Sequence, residues 1–189
     1  YQKYVKRCIG FVLALIISVI ISPVLLLIAI AIKCESKGPV FFKQKRVGLH
    51  KSLFEIYKFR SMRIDTPKDC ATHLLENPES YITKVGRFLR KTSIDELPQL
   101  INVIKGDMSI VGPRPPLERE VNNYSEYELQ RLYVTPGLTC YWQTTPNRND
   151  MTFDEWLQMD IEYIEDRSIK TDINIILSTF IAVFGMNGV

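Results

Sequence analysis

The stretch that most restricts this chain is Cys8 to Ile32, 25 consecutive residues without a charge. A straight helix crosses a bilayer with about 20 apolar residues, so the segment is long enough to enter a membrane. Ser22-Pro23 lies near its middle. Pro23 lacks an N–H and its ring crowds the carbonyl of Val19, so a kink is expected there, with the Ser22 hydroxyl able to bond a freed carbonyl. Cations stand on both sides: Lys3, Lys6 and Arg7 before it, Lys33, Lys37, Lys43, Lys45 and Arg46 after. Positive flanks favour the cytoplasmic side for both ends. A helix that enters, bends at Ser22-Pro23 and returns satisfies that preference; a kinked spanning helix is the competing topology. Ala29-Ile30-Ala31 looks like a signal-peptide cleavage site, but the apolar core is too long for one and basic residues follow at once.

The 189 residues suffice for one domain with its own core. Net charge is only +3, yet residues 1–91 hold 17 Lys+Arg against 6 Asp+Glu, and residues 92–189 hold 7 against 15. A basic half beside an apolar segment suits an anionic membrane surface and phosphate-bearing ligands. No nucleic-acid motif appears and the acidic half opposes a broad basic groove, so nucleic acid is not an expected partner. Cys8, Cys34, Cys70 and Cys140 are far apart with no CxxC pair, and His50 and His73 complete no ligand set. Free thiols are expected, and a structural zinc site is not.

Val40 to Val47 and Leu53 to Arg60 are rich in aromatic and β-branched residues around a turn at Gly48 to Ser52, which reads as a β-hairpin. Its second strand runs into Tyr57-Lys58-Phe59-Arg60-Ser61-Met62-Arg63, where cations alternate with aromatics; Lys58 and Arg60 are candidate phosphate contacts or a solvated strand face. Residues 64–83 read as a loop. Gln99 to Ile104 forms a short apolar helix ended by Lys105-Gly106. Gly106 to Pro116 is a rigid, proline-rich loop holding Arg114, a candidate anion clamp or a structural corner. Ser125 with Glu128 and Thr152 with Glu155 are capping boxes. The first opens a helix to about Leu132; the second opens one whose Phe153, Trp156, Leu157, Ile161 and Ile164 share a face. A last helix, about Asp172 to Phe184, is apolar nearly all round, and so is either buried or laid on a membrane.

Chemistry concentrates in Arg90-Lys91-Thr92-Ser93-Ile94-Asp95-Glu96-Leu97-Pro98-Gln99. Adjacent carboxylates repel unless a cation is near, so Asp95-Glu96 suggests a metal site or a tuned nucleophile. The alternative is helix capping, with Ser93 and Glu96 as a capping box. Pro98 suits the first position of a helix, which would leave Asp95 and Glu96 just outside it.

These pieces, in order, resemble the bacterial sugar transferase family, the monotopic polyprenyl-phosphate hexose-1-phosphate transferases. The motifs are Ser22-Pro23, Lys58-Phe59-Arg60-Ser61-Met62, Ser93 to Gln99, Gly106 to Pro115, and Pro136-Gly137-Leu138-Thr139. The chain departs at Cys140, where the family more often has Gly, and in the loop Thr144 to Asp150. The resemblance implies an α+β, mainly helical fold with a small β-hairpin. It implies a re-entrant membrane helix over residues 1–33, broken at Ser22-Pro23, and a membrane-associated catalytic domain over 34–189 with amphipathic interface helices. The expected place is the cytoplasmic face of the bacterial inner membrane.

The activity so implied moves a sugar-1-phosphate from a UDP-sugar to polyprenyl phosphate, commonly undecaprenyl phosphate, releasing UMP. That is the first membrane step of polysaccharide or glycoconjugate assembly. Asp95 is then the nucleophile and Glu96 the ligand of a Mg²⁺ cofactor. Arg90 and Arg114 are phosphate clamps, and Lys58 and Arg60 lesser ones. Single displacement with Asp95 as general base, and a non-catalytic scaffold for glycan enzymes, are the alternatives. A homodimer is carried among the partners, although no residue pattern specifies one.

Overall fold

Pro23 does not end the first helix. In the computed structural model, which describes residues 4–66, 78–146 and 150–184, α1 runs unbroken from Val5 to Glu35. Ser22 Oγ donates to Val19 O at 2.8 Å, the carbonyl that Pro23 has no N–H to reach. The expected break at Ser22-Pro23 is therefore a proline held inside one continuous helix. One stripe of α1 faces the rest of the chain at helical spacing. Ala14, Ile17 and Ile21 pack with Ile56, Leu100, Val103 and Met108. Further along, Leu25, Ile28 and Ile32 pack with Phe59 and Leu89. The opposite stripe is bare, with Val19 65% and Ile20 70% exposed.

Strands β1 (Phe41–Val47) and β2 (Leu53–Phe59) form the expected antiparallel hairpin, in register from Phe41↔Phe59 to Val47↔Leu53. Buried Asn102, from a helix further along the chain, fastens to the second strand by donating to Glu55 O at 2.7 Å and accepting from Tyr57 N at 3.1 Å. Part of the loop expected over 64–83 lies outside the described residues; within it, Pro78–Tyr81 makes the single turn α2. Helix α3 (Lys84–Lys91) has no counterpart in the sequence reading. Its first turn is capped by Thr83 Oγ1, and by Glu35 from the end of α1, which accepts from Lys84 N and Val85 N at 2.6 and 3.0 Å.

A 3₁₀ turn, Ile94–Gln99, leads into α4 (Leu100–Lys105), closed by Gly106 at φ 100°. The helix proper thus starts at Leu100, and Pro98 sits inside the turn before it. A second, parallel pair, β3 (Ser109–Val111) with β4 (Gly137–Thr139), was not anticipated. Between them lie the single turns α5 (Glu118–Val121) and α6 (Glu126–Leu129), and the helix expected to reach Leu132 continues only as a 3₁₀ turn, Gln130–Tyr133. Helix α7 (Phe153–Asp166) starts at the predicted Thr152–Glu155 box and buries Leu157, Ile161, Tyr163 and, unexpectedly, Asp160. Helix α8 (Ile169–Phe184) starts before Asp172. It buries Asp172 and Ile175 but exposes Ile173, Leu177, Phe180 and Ile181. The fold is mainly helical with a small antiparallel sheet, and α1 is its one helix, among the described residues, long and apolar enough to cross a membrane.

Candidate active site

Ser93 sets the geometry of the acidic pair. It adopts the left-handed conformation at φ 55°, and its side chain makes no cap bond, so the capping box read from Ser93 and Glu96 does not form. The chain then tightens into the 3₁₀ turn with Asp95 and Glu96 in its first turn and Pro98 and Gln99 buried behind them. In a 3₁₀ turn residues three apart eclipse, so the buried pair anchors the face on which Asp95 and Glu96 stand.

Glu96 is clamped by two cations from distant elements. Lys58 of β2 reaches its Oε1 at 2.5 Å, and Arg114 of the proline-rich loop lies at 3.4 Å. Burial alone would raise this carboxyl, but Lys58 and Arg114 outweigh it and hold the pKa at about 2. Asp95 shows the reverse balance. Burial and the neighbouring Glu96 charge exceed the pull of Lys58 and Arg90, and its pKa stands at about 6. The Asp95 carboxyl takes no hydrogen bond from another described side chain. It is ionised at neutral pH yet more basic than a free Asp, which suits attack on phosphorus or acceptance of a proton.

The segment Lys58 to Ser61 distributes three tasks. Lys58 serves Glu96. Ser61 Oγ accepts from Arg90 Nε at 2.9 Å, aiming Arg90 from the end of α3 toward the acidic pair. Arg60 is not brought to the site: buried, it donates to Ser36 O at 2.8 Å and Lys37 O at 2.7 Å, fastening the turn that follows α1. Of the residues singled out in the sequence, Asp95, Glu96, Arg90, Arg114 and Lys58 converge, and Arg60 does not.

Several residues that complete the site carried no sequence signal as site residues. A pocket of about 510 Å³ opens over the pair, walled by Arg46, Tyr124, Arg131, Trp142, Phe153 and Trp156. Arg46 Nη1 donates to Pro115 O at 3.0 Å and fixes the Arg114 loop. Trp142 stacks on Trp156, ring centroids 4.9 Å apart, and the Arg114 guanidinium lies 5.8 Å from the Trp142 ring. Arg131, 2.7 Å from buried Asp160, donates to Arg114 O at 3.4 Å and to Tyr124 OH at 2.8 Å. Cys140, the residue that departs from the resemblance, is buried behind the pocket, its thiol 3.3 Å from Oε1 of Gln143, which lines it. In the sequence Phe153 and Trp156 read only as part of one apolar helix face, and nothing there joined them to Arg46, Arg131 or Trp142.

Among the described residues no group of three or more His, Cys, Asp or Glu forms a cage for a metal. Mg²⁺ does not require one, since it binds through one or two carboxylates with water and substrate phosphates completing the shell. Glu96 fits that use. Both cations converge on its Oε1, and Oε2 has no hydrogen-bond partner among the described residues.

An acidic pair ringed by Lys58, Arg90 and Arg114 has the charge pattern that a phosphate-handling class of site needs, and it stands beside a helix apolar enough to enter a membrane. The comparisons with known proteins agree with that class. The profile of the bacterial sugar transferase family matches residues 1–186, and the chain belongs to that family. It is 47% identical to galactosyl transferase CpsE of Streptococcus agalactiae over 75% of this chain and 34% of that protein. Identity is 40% to the UDP-glucose:undecaprenyl-phosphate glucose-1-phosphate transferase of Escherichia coli, over 94% of this chain and 40% of that protein. With the undecaprenyl-phosphate galactose phosphotransferase of Salmonella typhimurium it is 36%, over 99% and 42%. The chain thus spans about two-fifths or less of the length of these relatives.

Proposed function

We propose that this chain transfers a sugar-1-phosphate from a UDP-sugar to a polyprenyl phosphate, releasing UMP, in two displacements through Asp95. The convergence of Asp95 and Glu96 with Lys58, Arg90 and Arg114 carries the reading, together with relatives named for transfer to undecaprenyl phosphate. In the first displacement an Asp95 carboxylate oxygen attacks the phosphorus nearest the sugar. The bond from that phosphorus to the bridging oxygen breaks, and UMP leaves with the electron pair. In the second, an oxygen of the lipid phosphate attacks the same phosphorus, returning Asp95 as a carboxylate and leaving a polyprenyl-diphospho-sugar. A phosphate monoester is already ionised at neutral pH, so Asp95 has little to do as a general base toward it.

Arg114 and Arg90 bind and orient the diphosphate, bidentate donors where Lys would act as a point charge. Lys58 keeps Glu96 ionised and fixed. Glu96 would hold a Mg²⁺ ion, which would supply charge neutralisation at the diphosphate.

Topology is part of the same proposal. Arg7, near the start of α1, donates to Val103 O and to Ile104 O at the end of α4, and Lys6 pairs with Asp172 at 3.0 Å. Glu35, at the far end, caps α3. Both ends of α1 are fastened to the domain that carries the site, which supports a helix held within one leaflet, with both ends on the same side, over one that crosses. The site then lies at the cytoplasmic membrane surface, where nucleotide sugar and lipid phosphate meet.

The test is incubation with UDP-sugar labelled at the sugar-proximal phosphate, without lipid. Label retained on the native chain and absent from Asp95→Asn supports the covalent route. Turnover with lipid should fall by about 10³-fold or more in the variant. An Asp95→Asn chain that turns over at a native-like rate overturns the proposal.

A further inference from the structure

A second cavity, of about 480 Å³, lies under the start of α1 and shares no residue with the active-site pocket. Its charged lining is Lys6, Arg7 and Arg167, with His50 at the rim, and no carboxylate lines it. The active-site pocket differs, holding Asp95, Glu96 and Glu120 among its cations. Of the three cations, Lys6 is balanced by Asp172, which stands outside the lining. Arg7 spends one N–H of each terminal nitrogen on the α4 carbonyls, and its remaining N–H groups have no partner among the described residues. Arg167 is exposed, donates only to Ile164 O among the described residues, and pairs with no described carboxylate. Tyr133 and Thr135 add hydroxyls to the wall, while that of Ser109 is already donated to Val111 O at 2.6 Å. A cavity with surplus guanidinium groups, hydroxyl donors and no acid is built for an anion with several oxygen acceptors.

The neighbourhood selects the kind of anion. Lys6 joins the start of α1 to α8, and each helix leaves the cavity with a bare apolar stripe: Ile9, Leu13 and Ile16 on α1, Ile173, Leu177 and Ile181 on α8. A free phosphate would use the cations and leave these stripes unused. A phosphate carried on acyl or prenyl chains would use both. We propose that this cavity binds the headgroup of an anionic membrane phospholipid, at a site separate from the catalytic pocket. Its chains would lie along the exposed faces of α1 and α8. The inference rests on the membrane placement given above, but not on the transfer chemistry.

The test uses the full chain in neutral detergent, titrated with three probes below their micelle concentrations, with thermal unfolding as readout. The probes are dihexanoyl-phosphatidylglycerol, dihexanoyl-phosphatidylcholine and glycerol-3-phosphate. A ligand bound only by the folded chain raises the melting temperature in proportion to occupancy. The phosphatidylglycerol probe should stabilise the native chain and Arg114→Ala alike, and bind Arg167→Glu about tenfold more weakly, the cost of one charge-assisted contact. Arg167 is exposed, and the probe-free melting temperature of the variant reports whether it folds; Arg167→Gln, which removes charge without reversing it, should weaken binding in the same direction. Equal stabilisation by the choline probe, or loss of the effect in Arg114→Ala but not in Arg167→Glu, overturns the site. Equal stabilisation by glycerol-3-phosphate overturns the lipid as its ligand. UMP release measured in parallel reports on the transferase reading separately, since its absence leaves these titrations interpretable.

Discussion

Below about pH 6 the buried partner of Arg131 changes its charge. Burial raises the Asp160 carboxyl from 3.8 to about 6 against the pull of Arg131. A folded-state value above the unfolded one means that the stability this group contributes is complete below about pH 4 and is lost as pH rises through about 6. The native chain should therefore lose roughly 3 kcal/mol relative to Asp160→Asn between pH 4 and pH 7, read by urea unfolding at a series of pH values. A pH-independent difference contradicts that account. Because Arg131 also holds the Arg114 carbonyl, the variant should weaken UDP-sugar binding as well. Such residue-level roles were only partly legible in the sequence. Asp95 and Glu96 stood out by unusual local chemistry, whereas Arg114 read equally well as a structural corner. Lys58 and Arg60 looked equivalent, two residues apart among aromatics, and only the end of β2 between them sends one to Glu96 and the other to Ser36 and Lys37.

At the scale of elements, α3 is the part that sequence reasoning passed over, and the site depends on it. Its eight residues, Lys84–Lys91, are too few for a clear apolar period, and its first turn is held by its own N-cap, Thr83, and by the distant Glu35. Gly86 is required by contact rather than by turn: a Cβ there would lie 1.9 Å from Ser61 O, a backbone atom. Gly86→Ala should destabilise the fold by about 3 kcal/mol in chemical denaturation. It should also raise KM more than a surface Ala substitution does, because Arg90 is aimed through Ser61. A variant of native stability would mean that α3 is free to shift. The start of α4 was misplaced for a related reason. Pro98 fits the first position of an α-helix and equally the interior of a 3₁₀ turn, and local propensity does not separate the two. What decides is the burial of Pro98 and Gln99 beneath the acidic pair.

Across the whole molecule, the apolar segment, the hairpin and α7 could be read from periodicity and capping, whereas the pocket wall could not. Trp142, Trp156, Arg131 and Arg46 meet only because β3 pairs with β4 in parallel, a long-range pairing with no local signature. The topology of α1 can be checked with the protein's own thiols. Cys8 and Cys34 stand near its two ends and both are exposed, while Cys140 is buried. With Cys70 replaced by Ser, a membrane-impermeant maleimide should label both from the same side of sealed inverted vesicles; labelling from opposite sides would mean a crossing helix. The fastening of both ends has one more consequence. Helix α1 is a rafter of the building and not a mooring rope, for its residues roof Ile56, Leu100 and Val103 at one end and Phe59 and Leu89 at the other. Cutting them away to obtain a water-soluble enzyme would strip that roof, and the product to expect is a sticky, partly melted remnant that no detergent-free buffer restores to work.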